Sequence, residues 1–132
     1  MGASGDMVKG LYEAFGKGDV PAVLGAFDAK IQWNEADGFL YADGNPYVGP
    51  QAVAEGVFQR LGVDIDQFMV IPQSYVDGGD AVVVEGRYKG TMKATGKAVD
   101  AQFAHVWRLR DGKVISFQQY TDTGQWQKAA GS

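Results

Sequence analysis

The chain has 132 residues, a net charge of −4, no cysteine and one histidine. The acidic balance excludes a nucleic-acid-binding face, which needs clustered basic charge. The lack of cysteine excludes disulfides, thiolate metal sites and a cysteine nucleophile, and one histidine excludes a histidine-rich metal centre. With 45% hydrophobic and 21% charged residues, the composition is that of a soluble globular chain. Its apolar runs are too short to span a bilayer, and no basic amphipathic stretch suggests a membrane surface. The expectation is one cytoplasmic domain over residues 1–132, with its core at about 7–127.

The opening MGASGD has no secretory layout and reads as a frayed start. Val8, Leu11, Tyr12 and Phe15 then recur at the spacing of a buried helix face, which Gly16–Gly18 ends. Asp19 is placed to cap a second helix with Pro21 in its first turn, where Val20, Val23, Leu24 and Phe27 repeat the spacing. A short strand is expected at Lys30–Asn34. The glycine- and proline-punctuated segment from Ala36 to Gly49 reads as a long loop, with Tyr41 and Tyr47 as candidate lid residues. Pro50 opens a third helix carrying Val53, Val57 and Leu61, ending near Gly62.

From Phe68 onward the pattern is that of an antiparallel sheet. Strands are expected near Met69–Val76 and Ala81–Gly90, followed by turns at Lys93–Lys97 and Asp111-Gly112. The layout is α+β, with helices on one face of a curved sheet.

Alternation in the stretch 99–109 puts Val99, Ala101, Phe103, His105, Trp107 and Leu109 on one face, so the single histidine points inward from an apolar surface. A buried imidazole needs partners for both nitrogens, because an unpaired interior polar group costs about 1–3 kcal/mol. The ring is then either a satisfied structural element or a general acid/base facing a cavity. Its neighbours depend on the Asp111-Gly112 turn. A two-residue turn pairs Arg110 with Lys113 and brings Gln118, Tyr120 and Asp122 to the His105 face. A three-residue loop pairs Leu109 with Lys113 and brings Ile115, Phe117, Gln119 and Thr121 there instead. The second arrangement is preferred, since it sets Ile115 and Phe117 beside Trp107 and His105.

The element order, the stretches GKGDVPAVLGAF and YVGPQAVAEGVF, and the hairpin FAHVWRLRDGKVISFQQYTD together resemble the nuclear-transport-factor-2-like superfamily, in its SnoaL-like and ketosteroid-isomerase-related branch. The resemblance implies a cone-shaped, antiparallel-rich sheet, a cystatin-like α+β roll wrapped around the three helices of the N-terminal half. It also implies a deep apolar pocket with loop 36–49 at its mouth, and a homodimer through the outer sheet face, where Val83, Val106 and Val114 are expected. The steroid-isomerase tyrosine position falls at Leu11, beside Tyr12, the base position at Trp33 and the second oxyanion donor at His105. Two of the three are apolar, which argues against authentic 3-ketosteroid isomerisation. The last-strand aspartate position of the epoxide-hydrolase branch falls at Gln119.

The expected catalytic group is His105, with Glu35 or Asp122 setting its charge. Glu35 shares a strand face with Trp33 and either forms a dyad with His105 or sits solvated at the loop entrance, and Asp122 is either catalytic or a cap of the short C-terminal segment. Pocket walls are expected from Tyr12, Trp33, Tyr88, Phe103, Trp107, Phe117 and Gln119, with no cofactor and no metal. The functional expectation is cofactor-independent acid/base chemistry on a small, hydrophobic, oxygen-bearing molecule. The alternative is a non-catalytic binding or dimerisation module.

Overall fold

The first apolar helix face becomes α1, Ala3–Gly16, in a computed structural model that describes residues 1–131. The opening is not frayed: the Gly5 N–H donates to Asp77 Oδ2 at 2.9 Å, so a carboxylate from the far end of the sheet holds the first turn. Asp19 caps α2, Val20–Gly25, by accepting from the Ala22 N–H at 3.2 Å. Phe27 does not continue that helix. It opens β1, Phe27–Asn34, and its helical spacing from Val23 and Leu24 is coincidental.

The loop that follows carries a short strand, β2, Tyr47–Val48, which alternation could not reveal in two residues. Helix α3 covers 50–64, and its central stretch Ala54–Phe58 widens into a π-turn between the segments Pro50–Val53 and Gln59–Asp64. Four long strands complete the sheet: β3, Ile65–Asp77; β4, Ala81–Met92; β5, Ala98–Arg110; and β6, Lys113–Thr121. A last helix, α4, Thr123–Ala130, closes the chain.

The sheet order is β2-β1-β6-β5-β4-β3, antiparallel throughout except between β1 and β6. Register shifts interrupt β3 between Asp66 and Met69 and again between Pro72 and Ser74. Such bulges bend the strand that carries them, and this α+β sheet is curved and unclosed. Its inward residues, among them Ile31, Val82, Val84 and Phe117, share one core with Val8 and Leu11 of α1 and with Val53 and Val57 of α3.

The last hairpin corrects the preferred register. Asp111 and Gly112 both take positive φ, 51° and 73°, the signature of a two-residue type I′ turn, and Arg110 pairs with Lys113. Leu109 then pairs with Val114, and Arg108 with Ser116, which leaves Ile115 as a bulge. Beyond it, Trp107 faces Phe117 and His105 faces Gln119. Phe117 and Gln119 thus reach the His105 face through a tight turn plus a bulge, not through a longer loop. The same turn sends Val114 into the core, fully buried, instead of onto the outer face.

Helix α4 was not anticipated from the sequence, and Trp126 makes it structurally important. Its indole is fully buried, edge-to-face against Phe39 at 5.1 Å and Tyr88 at 5.6 Å. Trp126→Ala is expected to lower unfolding stability by about 3–5 kcal/mol, measured as a shift of the urea midpoint.

Candidate functional site

A cavity of about 70 Å³ opens between α1, α3 and the concave face of the sheet. Most of its lining is aliphatic or aromatic; Glu35, His105 and Gln119 are the exceptions, joined by the hydroxyl-bearing Tyr12 and Tyr88. Those three are also the only buried polar or charged side chains among the described residues. Interior polar groups are costly, and these three gather at one hollow.

His105 projects from β5, with Phe103 stacked on its ring at 4.0 Å. Its Nδ1 lies 2.6 Å from the hydroxyl of Tyr12, one helix-face residue of α1. Its Nε2 lies 2.5 Å from the hydroxyl of Tyr88 on β4. Each hydroxyl is held from behind. Trp107 Nε1 donates to the Tyr12 oxygen at 2.9 Å, and Gln119 Nε2 donates to the Tyr88 oxygen at 2.9 Å. The Ala36 N–H donates to Gln119 Oε1 at 3.1 Å, which fixes the orientation of that amide.

A proton inventory of this network has one outcome. Trp107 and Gln119 each supply one N–H, the two tyrosines one O–H apiece, and a neutral imidazole one N–H, making five donors. Only four contacts join the five groups. One tyrosine hydroxyl proton is therefore unspent whichever tautomer His105 adopts. If Nε2 carries the proton, Tyr88 holds the spare; if Nδ1 carries it, Tyr12 does.

Burial lowers the pKa of His105 from 6.5 to about 3, so the ring is neutral near neutral pH. Burial also pushes both tyrosine hydroxyls well above their usual range. The group that titrates near neutrality is Glu35. Desolvation raises its carboxyl from 4.5 to about 7, against a hydrogen bond from Trp33 Nε1 at 3.3 Å that pulls it down. Its backbone is fixed on both sides by Asn45, which accepts from the Glu35 N–H and donates to the Glu35 carbonyl, each at 2.8 Å.

The expected site residues separate accordingly. Tyr12, Trp33, Glu35, Tyr88, His105, Trp107, Phe117 and Gln119 share the cavity wall. Phe103 sits behind the His105 ring and not on the wall. Glu35 is buried, not solvated, yet makes no hydrogen bond to His105, whose pKa falls instead of rising. Asp122 is exposed outside the cavity and caps α4, accepting from the Gln125 N–H at 3.2 Å. Tyr41 and Tyr47 are buried fasteners of the loop, not lids: Tyr41 donates to Asp64 Oδ2, and Tyr47 to the Tyr41 carbonyl.

Sequence reasoning missed three half-buried phenylalanines of the cavity lining: Phe15 on α1, Phe58 at the end of the π-turn and Phe68 on β3. Phe15 belonged to the recognised helix face. Phe58 and Phe68 lie on backbone irregularities, where no periodicity marks the inward side. Among the described residues, no cluster of three or more His, Cys, Asp or Glu side chains could hold a metal ion, and no helix is long and apolar enough to cross a membrane.

This architecture, a curved sheet enclosing a cavity beneath three helices, is matched by known proteins. Residues 8–117 match the SnoaL-like domain, and the chain belongs to that family. It is similar to an NTF2-like protein from Burkholderia thailandensis E264, at 33% identity over 100% of both chains and a TM-score of 0.94. It is also similar to an NTF2-like protein of unknown function from Burkholderia pseudomallei K96243, at 26% identity over 100% of both chains and a TM-score of 0.90. TerC, co-crystallised with polyporic acid, shares the fold at 22% identity over 96% of this chain and 97% of that one, with a TM-score of 0.84. No curated protein matches the chain significantly in sequence.

The two perturbed groups act oppositely on stability. Between pH 4.5 and about 7 the folded state holds a proton on Glu35 that the unfolded chain has released, so this contribution is lost as pH rises, by about 3 kcal/mol in all. Between about pH 3 and 6.5 the unfolded chain holds a proton on His105 that the folded state refuses, so stability falls as pH falls, by about 5 kcal/mol in all. From 4.5 to 6.5 the two slopes cancel. Denaturant titrations at stepped pH should therefore show Glu35→Gln losing stability through this window as pH falls. His105→Gln should gain it.

Proposed function

We propose that this protein binds a small, mainly apolar, oxygen-bearing molecule in the cavity and moves a proton on it without a cofactor. The observation that carries this reading is the pairing of two unlike groups in one hollow: an unspent hydroxyl proton and a buried carboxyl titrating near pH 7. A carboxylate whose pKa lies near working pH is a competent general base, and a preorganised hydroxyl stabilises the oxygen on which charge develops. Glu35 takes the proton from carbon beside a carbonyl, or returns one, while a tyrosine hydroxyl holds the carbonyl oxygen. His105 positions the tyrosines. This class covers isomerisation, elimination and carbon–carbon cyclisation through an enolate. That TerC was crystallised with polyporic acid agrees with an organic ligand for this fold.

A second copy of the chain is proposed on the outer sheet face, where Val76, Val83 and Val106 form one cross-strand row and Tyr120 is exposed. Light scattering on the purified protein at micromolar concentration should return twice the chain mass; the mass of one chain removes the dimer from the reading.

The catalytic reading is tested by α-deuterium exchange into a small enolisable ketone, cyclohexenone, followed by NMR in D₂O. Exchange should exceed the buffer rate, rise as pH passes through about 7, and fall by about 10²–10⁴-fold in Glu35→Gln. Binding of the ketone without any excess exchange would overturn catalysis and leave a binding module.

A further inference from the structure

The chain from Tyr12 through His105 to Tyr88 runs from one side of the cavity to the other, and every link is a short hydrogen bond between groups that can both donate and accept. Tyr12 comes from α1 and is half-buried, while Tyr88 is buried and lies close enough to Glu35 for that carboxylate to oppose its ionisation. No direct hydrogen bond joins Tyr88 to Glu35, but both face the cavity, whose volume admits water. Imidazole suits the middle of such a chain. It can take a proton at one nitrogen while releasing one from the other, and so remain neutral.

We propose that Tyr12, His105 and Tyr88 form a proton wire that connects a ligand hydroxyl beside Tyr12 with the Glu35 carboxyl in the same cavity. This rests on the reading of Glu35 as the proton-exchanging group. In the loading direction the ligand O–H bond breaks as its proton passes to the Tyr12 oxygen. The original Tyr12 proton passes to His105 Nδ1, the Nε2 proton passes to the Tyr88 oxygen, and the Tyr88 proton crosses one cavity water to Glu35. The ligand oxygen is left anionic and Glu35 neutral, so charge and protons balance. His105 is neutral at both ends of the shift and has only exchanged tautomers. The reverse shift protonates a ligand oxygen from Glu35.

The wire makes the proton inventory functional. With Glu35 ionised, the spare proton belongs on Tyr88, facing the carboxylate, and Nε2 is the protonated nitrogen. With Glu35 protonated, the spare proton belongs on Tyr12 and Nδ1 is protonated. The titratable groups around the ring are Tyr12 from α1, Tyr88 from β4 and Glu35 at the end of β1, with Tyr75 of β3 packed edge-on against Tyr12 and Glu13 beyond it. Strand β6 contributes only Phe117 and Gln119. Burial raises all three tyrosines, leaving Glu35 as the one facing group that changes charge near pH 7.

Because the chain has one histidine, ¹⁵N labelling of histidine gives imidazole signals that need no assignment. The ligand-free protein is titrated from about pH 5 to about pH 9. The protonated and unprotonated nitrogen signals should exchange places with a midpoint at about 7, without an imidazolium signal. Glu35→Gln, and Tyr88→Phe if it folds, should hold one tautomer throughout. A single tautomer across the wild-type titration, or an equal exchange in Glu35→Gln, would overturn the wire and make the ring a static clamp. The readout needs no ligand and no turnover. If the tautomer exchange is absent while ketone exchange persists, the function survives without the wire; if the order is reversed, the wire survives without the catalysis.

Discussion

An imidazole taken out of water must find a partner for each nitrogen, and that requirement organises this molecule. His105 meets it with two tyrosine hydroxyls, and each hydroxyl is steadied by a further donor, Trp107 or Gln119. Gln119 is held in turn by the backbone just past β1. One network thus ties together α1, β4, β5, β6 and the start of the long loop. Loss of a member strands a buried polar group, at about 1–3 kcal/mol each, so the network specifies the fold as well as the site.

Legibility in the sequence follows regularity of backbone. The face of β5 was readable because strict alternation holds from Val99 to Leu109, and every one of those residues is buried. Helix spacing revealed Val8 and Leu11 for the same reason, while Val53, Val57 and Leu61 keep their four-residue spacing across the π-turn and are all buried. The register of β6 was readable only in parity. The tight turn at Asp111-Gly112 and the bulge at Ile115 each shift the pairing by one, and together they restore the alternation that a longer loop would have produced. Val114, on the turn side of the bulge, consequently faces inward.

The cavity itself was the least legible part, and its walls show why. Phe58 ends a π-turn, and Phe68 follows Gln67, whose φ of 52° belongs to a bulge opposite Gly90. Each irregularity turns a large aromatic ring toward the hollow at a position where neither the helical nor the strand period predicts it. A Cβ at Gly90 would lie 2.6 Å from Ile65 Cγ2, so the bulge also depends on the absence of a side chain across from it. Glu35 was ambiguous for a different reason. A carboxylate at a strand end reads as solvated unless the loop beyond it folds back, and here Asn45 grips the Glu35 backbone from ten residues downstream.

The opposite shifts of Glu35 and His105 have one cause, since burial disfavours whichever form carries charge. For the acid that means holding a proton longer, and for the imidazole it means refusing one. Between about pH 3 and about pH 7 both groups are neutral, and the hollow contains polar atoms but no net charge. Such an interior accepts a neutral, apolar guest without first desolvating an ion, while the unspent hydroxyl proton and the Glu35 carboxyl remain to orient it. Above about 7 a single negative charge appears, on the one residue whose only side-chain partner is an indole N–H. A base that weakly solvated regains its proton readily, whereas His105, clamped on both sides, has nowhere to put a charge and can serve only by passing protons through.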